Sequence, residues 1–176
     1  GSGKTTVARD LCERSGMIQL RSDVERKRQA GLAATDTSRS GTGTGLYTAE
    51  RTANTYQCLG ELAQTVLAAG YSVVVDATFL KRGHRDHFRT LATATGTPFL
   101  VLECTAENDE LERRILSRNA SRSDASEATL GVLHAQQAGD EPLMEDERQN
   151  LLRIDTRQMT GDEVWSAFQE MRGYNL

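Results

Sequence analysis

The sequence predicts an α/β fold in which helices cover both faces of a parallel sheet. Two observations predict it. Short apolar runs rich in β-branched residues alternate along the chain with longer stretches whose apolar residues recur at helical spacing. The runs, such as "YSVVVDATF" (71–79), are apolar nearly throughout, as strands buried on both faces are.

The elements follow in order. Residues 4–14 form a helix that opens directly from a glycine-rich start, and "MIQLRSD" (17–23) is a short strand ending in polar residues. "VERKRQAG" continues as a helix and stops near Gly31, and the Gly/Thr/Ser-rich 33–45 stretch is a loop. Residues 48–70 carry apolar positions at helical spacing and a glycine stop. The 71–79 strand comes next, then a helix over 83–96 with its own glycine stop, then a buried strand over 97–105. "ENDELERRILSRNA" and "SDASEATLGVLHAQQAG" are two helices with a polar junction, the region 107–139 being read as a lid and the helix that follows it. "LLRIDT" (151–156) is the last strand. Residues 160–172 are the last helix, with Thr160 as its cap and Trp165, Phe168 and Met171 facing the core. No internal repeat interrupts this order.

Composition narrows the class. A chain of 176 residues with 38% hydrophobic and 26% charged residues is read as a single globular domain over 1–176. No apolar run approaches the ~20 residues of a membrane span. Three cysteines, widely spaced, show neither a disulfide framework nor metal-ligand spacing, which favours a reducing cytoplasm. A net charge of −4 offers no general attraction to nucleic acid, so any anion site must be a local cluster of arginines.

Four stretches carry chemistry. "GSGKTT", Gly1 to Thr6, reads as the second half of a phosphate-binding loop. Gly3 admits phosphate close to the backbone, and the N–H groups of the loop and helix start attract it. Lys4 reaches the β- and γ-phosphates, and Thr5 offers a hydroxyl to Mg²⁺; Gly1, Ser2 and Thr6 complete the nucleotide-holding stretch. The bland alternative is an ordinary glycine turn before a helix. "VVVDAT" ends in Asp76, placed as the aspartate that holds the Mg²⁺ shell in phosphate-loop enzymes.

In "LRSDVERKR", Asp23 and Arg26 stand one helical turn apart and face one side. Asp23 could orient and deprotonate an acceptor hydroxyl, and Arg26 could grip an anionic acceptor group; an N-cap aspartate on a charged helix is the bland alternative. In "LERRILSR", Arg114 and Arg118 share a helix face and could neutralise a transferring phosphoryl group, or pair with Glu110 and Glu112 as a solvated basic face. "KRGHR" puts Lys81, Arg82 and Arg85 near the acceptor side.

"GSGKTT", "LRSDVERKR", "VVVDATFLKRGHR", "LECTAENDELERRILSR" and "SDASEATLGVLHAQQ" together resemble the P-loop kinase family of AAA-type ATPases and kinases. The chain is similar to the ATP-binding domain found fused behind an aminoglycoside-phosphotransferase-like domain. Its layout also resembles polynucleotide 5′-kinases, zeta-toxin-type sugar kinases and gluconate kinases. The resemblance implies the P-loop NTPase three-layer αβα sandwich, with ATP and Mg²⁺ as cofactors. It implies that Asp23 is the acceptor-activating carboxylate, Arg26 the acceptor-phosphate arginine, and Arg114 and Arg118 the lid. Asp124 and Glu127 match the "SDASEA" element without an assigned chemistry. The departure is that the first loop glycine and the strand before it are not in the chain. The expectation is a longer natural protein, a gap at the centre of a five-stranded sheet with two unpaired inner edges, and low stability and weak nucleotide binding in the isolated chain.

Several residues are set aside. His84 and His87 have no third metal ligand at sensible spacing, since His134 is far off; Cys104 is a buried thiol at a strand end; "RSGTGTG" is not a dinucleotide site. The expected function is transfer of the γ-phosphoryl of ATP to a hydroxyl. A small molecule such as a sugar or aminoglycoside-like alcohol is preferred to a polynucleotide 5′ end, because the acidic chain lacks a long basic channel. The rival from another class is a non-kinase ATPase module regulating a fused domain. Adenine is usually held by irregular segments such as the one near Asp155 and Thr156, which carry no motif for the base.

Overall fold

A computed structural model of the chain describes residues 1–38, 40, 43–121 and 129–174. Helix α1 (Lys4–Ser15) leads to strand β1 (Ile18–Arg21) and helix α2 (Ser22–Gln29). A single 3₁₀ turn (Gly45–Tyr47) precedes the long helix α3 (Ala49–Ala68). Strand β2 (Val73–Asp76), helix α4 (Arg82–Thr95) and strand β3 (Val101–Thr105) follow. Helices α5 (Asn108–Ser121), α6 (Leu130–Gly139) and the one-turn α7 (Glu145–Arg148) lead to strand β4 (Leu151–Asp155) and helix α8 (Gly161–Tyr174).

The strands are parallel and join in two pairs. In the first pair β1 runs beside β2, with Arg21 opposite Asp76 at the shared C-terminal end. In the second β3 runs beside β4, with Thr105 opposite Asp155. Among the described residues no ladder links the pairs. Each pair has its own apolar cluster. Tyr56, Leu59 and Ala63 of α3 pack with Phe88 and Leu91 of α4 over Val73 and Val75. Leu11 of α1 packs with Val164 and Phe168 of α8 against Ile154 and Leu102. Helix α1 also packs along β1 and β2, so it touches both halves.

The boundaries differ from the sequence reading for local reasons. Ser22 and Asp23 belong to the first turn of α2 rather than to the strand end. The 71–79 strand stops at Asp76, because the chain turns sharply at Phe79, whose φ is 48°. Thr160 caps α8 as expected: its hydroxyl accepts from Glu163 N–H at 3.3 Å, while the Glu163 carboxylate accepts from Thr160 N–H at 2.7 Å. Phe168 is buried and Trp165 half-buried against it, in agreement with the core face expected of α8. The short α7 was invisible in the sequence. It is set by Glu147, whose carboxylate accepts from Met144 N–H at 2.9 Å and meets Arg85 in the interior.

Candidate functional site

The first turn of α1 begins after Gly3, whose φ of 82° is open to glycine at little cost. A Cβ there would also press to 3.1 Å from the Thr156 side chain, so the residue is fixed by conformation and by space. The turn holds no acidic side chain, which leaves the positive end of the helix uncompensated. Lys4 stands here, its ammonium 3.4 Å from Ser2 Oγ.

Thr5 reaches across to the first strand pair. Its hydroxyl donates to Asp76 Oδ2 at 2.7 Å, across 71 residues of sequence. Gln19 Nε2 donates to the same oxygen at 3.2 Å, and Arg21 Nε lies 3.6 Å from it. Asp76 is buried, so its charge is held by hydrogen bonds and by one guanidinium. Gln19 and Arg21 escaped the sequence reading; their signal was the two-residue period of β1, which points both to one face.

Asp23 and Arg26 come together as the helical spacing requires, with Arg26 Nη1 3.4 Å from Asp23 Oδ1. The Arg26 guanidinium also lies over the Tyr47 ring, 4.8 Å from its centroid. Arg26 is largely buried, yet its Nε has no hydrogen-bond partner among the described residues. Asp23 is not an N-cap: Arg21 occupies that position without a side-chain cap, and the Asp23 carboxylate faces the cleft.

The arginines of α5 separate. Arg113 is exposed and forms a fork with Glu110 at 2.8 and 2.7 Å, the solvated pairing weighed as the bland alternative. Arg114 also meets Glu110, at 2.6 Å. The two guanidiniums pull the Glu110 pKa down to about 2. The far end of Arg114 donates to Thr156 Oγ1 at 2.8 Å, to Thr156 O at 3.2 Å and to Gly1 O at 3.4 Å. In this conformation Arg114 therefore ties α5 to the segment after β4 and to the glycine-rich start. Arg118, one turn on, lines the cleft beside it.

Most of these groups line one cleft of about 820 Å³; Gln19, Glu110 and Arg113 are not part of its lining. Its lining includes Lys4, Thr5, Asp76, Arg114, Arg118 and Thr156, and also Asp23, Arg26, Tyr47, Tyr56, Lys81 and His84. His84 stacks on Tyr56, with ring centroids 3.7 Å apart and planes inclined by 15°. Burial and the neighbouring His87 lower the His84 pKa, which keeps the ring neutral near pH 7. His87 is exposed, with its Nε2 beside Gly60 of α3. Cys104 packs half-buried against the Leu11 cluster, and burial pushes its thiol up to about 11, the opposite of an activated nucleophile.

Arg85 corrects the sequence reading. It does not reach the cleft but is buried, paired with Glu147 at 2.5 and 3.2 Å, and it donates to Phe79 O at 2.9 Å. Its helical phase points it inward between α4 and α7 while Lys81 and His84 face the cleft. Asp124 and Glu127 lie outside the described residues.

The donor set fits a magnesium ion. Mg²⁺ prefers hard oxygen ligands and takes one or two from protein, with phosphates and water completing its shell. The Thr5 hydroxyl and Asp76 carboxylate supply that number beside the phosphate loop. Among the described residues no cluster of three or more His, Cys, Asp or Glu offers a richer cage. No described helix is long and apolar enough to cross a membrane.

Comparison with known proteins adds the lineage. Residues 1–143 match the family model of an AAA domain. An uncharacterized protein of Mycobacterium tuberculosis is 30% identical over 138 residues, covering 78% of this chain, which spans only 28% of that relative's length. A putative kinase from Chloroflexus aurantiacus superposes with a TM-score of 0.74 at 21% identity, over 100% of this chain and 92% of its own. APS kinase from Mycobacterium tuberculosis, solved in complex with AMPPNP and APS, superposes at 0.65 with 20% identity, over 98% and 92%. The chain thus belongs to the AAA-domain family, and its fold is that of the P-loop kinases.

Proposed function

We propose that this domain is a kinase that moves the γ-phosphoryl group of ATP to a hydroxyl of a small-molecule acceptor. The observation that carries the reading is one cleft lined both by a phosphate-holding set and by an acid–arginine pair. A nucleotide switch needs the first set; the second supports a phosphoryl acceptor.

Phosphoryl transfer asks the protein for position and charge rather than for covalent chemistry. Lys4 and the amides at the start of α1 hold the β- and γ-phosphates. Thr5 and Asp76 would hold Mg²⁺, which when bound supplies charge that offsets the phosphate oxygens. Arg114 holds the nucleotide end through Thr156 and Gly1, and Arg118 stands over the transferring group. Asp23 accepts the proton of the acceptor hydroxyl as its oxygen bonds to the γ-phosphorus and the bond to the β-phosphate bridging oxygen breaks. ADP is the leaving group. Arg26, whose Nε is not taken up by Asp23, holds the acceptor in line.

The test is transfer from γ-labelled ATP in the intact protein, with magnesium and a panel of sugars, aminoglycosides, sugar acids and 5′-hydroxyl oligonucleotides. Label on a small-molecule hydroxyl, lost in Lys4→Ala and Asp23→Ala, is the expected result. Label on oligonucleotide ends alone would replace the small-molecule acceptor with a nucleic acid. Slow phosphate release indifferent to Asp23 would leave a regulatory ATPase of a fused domain.

A further inference from the structure

We propose that Tyr56 is a positioning residue: its hydroxyl fixes the Thr78–Lys81 segment in a backbone shape that the segment does not favour, and so sets one wall of the cleft. That this wall faces the acceptor rests on the kinase reading above; that Tyr56 fixes it does not.

Phe79 is the only described non-glycine residue with positive φ, at 48°. An aromatic side chain is among the least suited to that region. Yet the position needs an aromatic ring, because Phe79 packs edge-on against Tyr56 and against Phe88, each at 5.3 Å between centroids. The core favours an aromatic ring where the backbone favours a glycine. Such a conflict persists only where the surroundings over-determine it.

Two groups do so, one on each side of the residue. The Tyr56 hydroxyl oxygen accepts from Phe79 N–H at 3.0 Å. Arg85 donates to Phe79 O at 2.9 Å and is itself locked by Glu147. The Tyr56 oxygen also lies 3.4 Å from Thr78 Oγ1, so the tyrosine proton has a partner in the same segment. Thr78, Leu80 and Lys81 line the cleft on either side of Phe79, and His84 lies flat on the Tyr56 ring. One buried side chain thus orders the segment, through its oxygen, and the histidine, through its face. A tyrosine serving the core alone would need neither the hydroxyl nor its alignment on the strained peptide.

The experiment compares the intact protein with Tyr56→Phe, Phe79→Gly and the double variant. Tyr56→Phe keeps the ring and its packing and removes only the oxygen. Hydrogen exchange in peptides covering 78–82 is expected to quicken about tenfold, with MgATP affinity within about twofold. For the acceptor found by the transfer panel, KM rises about tenfold while kcat stays within about threefold. In the Phe79→Gly background the same tyrosine change adds little, because glycine takes the left-handed shape at no steric cost. Unchanged exchange at 78–82, an equal loss of MgATP affinity, or a full effect in the Phe79→Gly background would overturn the proposal. Failure of every acceptor in the wild-type protein would overturn the kinase reading instead, and exchange and MgATP binding would still decide the role of Tyr56.

Discussion

Thr5 Oγ1 and Asp76 Oδ2 meet at 2.7 Å, joining the first turn of α1 to the C-terminal end of β2. The two residues stand 71 apart in sequence, and the pairing exists only because the fold brings the start of α1 to the end of β2.

Replacement of Asp76 by asparagine keeps the shape and removes the charge. Affinity for ATP is expected to fall about 10–100-fold in the presence of magnesium and to change little in excess chelator. Calorimetric titration under the two conditions checks it. An equal loss in both would mean that Asp76 supports the loop and not a cation.

Asp23→Asn is expected to lower kcat for transfer about 10²–10⁴-fold, the range of a lost general base, with ATP affinity preserved. Single-turnover transfer beside equilibrium binding makes the separation. Retained transfer would assign Asp23 to holding Arg26 alone.

Arg114 and Arg118 of α5 should fail differently. Arg114 grips Thr156 and Gly1, so Arg114→Ala is expected to weaken ADP and ATP alike, by about tenfold. Arg118→Ala is expected to spare ADP binding and to lower kcat about 10²–10³-fold. Identical profiles for the two variants would remove this division.

Glu147→Gln leaves the Arg85 charge buried without its carboxylate. The expected cost is about 3–5 kcal/mol, a fall in Tm of roughly 10 °C. Arg85 holds the Glu147 pKa below the usual carboxylate range. That stabilisation is therefore complete above about pH 4.3 and is lost as pH falls through the lowered value. Thermal melts from pH 7 to pH 3 should show the wild type and the variant converging only in acid. A constant gap across that range would contradict the assignment.

Much of the fold was legible because helical periodicity and β-branched runs are local signals. The glycine-rich start, Asp76 and the Asp23–Arg26 spacing were legible for the same reason: each is a short pattern with its own mechanism. Arg85 was misread because charge in a basic pentapeptide says nothing about helical phase relative to α7, 62 residues away. Tyr56 was missed as a cleft residue, since an aromatic on an amphipathic helix reads as core until its hydroxyl finds a partner, and Tyr47 was missed because it falls between the 33–45 loop and the 48–70 helix. The bond from Arg114 to Thr156 was hidden too, although both ends had been noted separately.

The two apolar clusters have a bearing on how damage would travel. Asp76 rides on the cluster beneath β1 and β2, with Val75 before it and Ala77 after it, whereas α1 roots Leu11 in the cluster beneath β3 and β4. The hydroxyl–carboxylate bond between them spans the seam, like a gauge fixed at its ends to separate walls. A cavity opened away from the cleft lining, at Phe168 or at Leu59, would register there as a changed spacing before either half lost its shape. Activity in this domain is thus the more sensitive meter of its core than unfolding is.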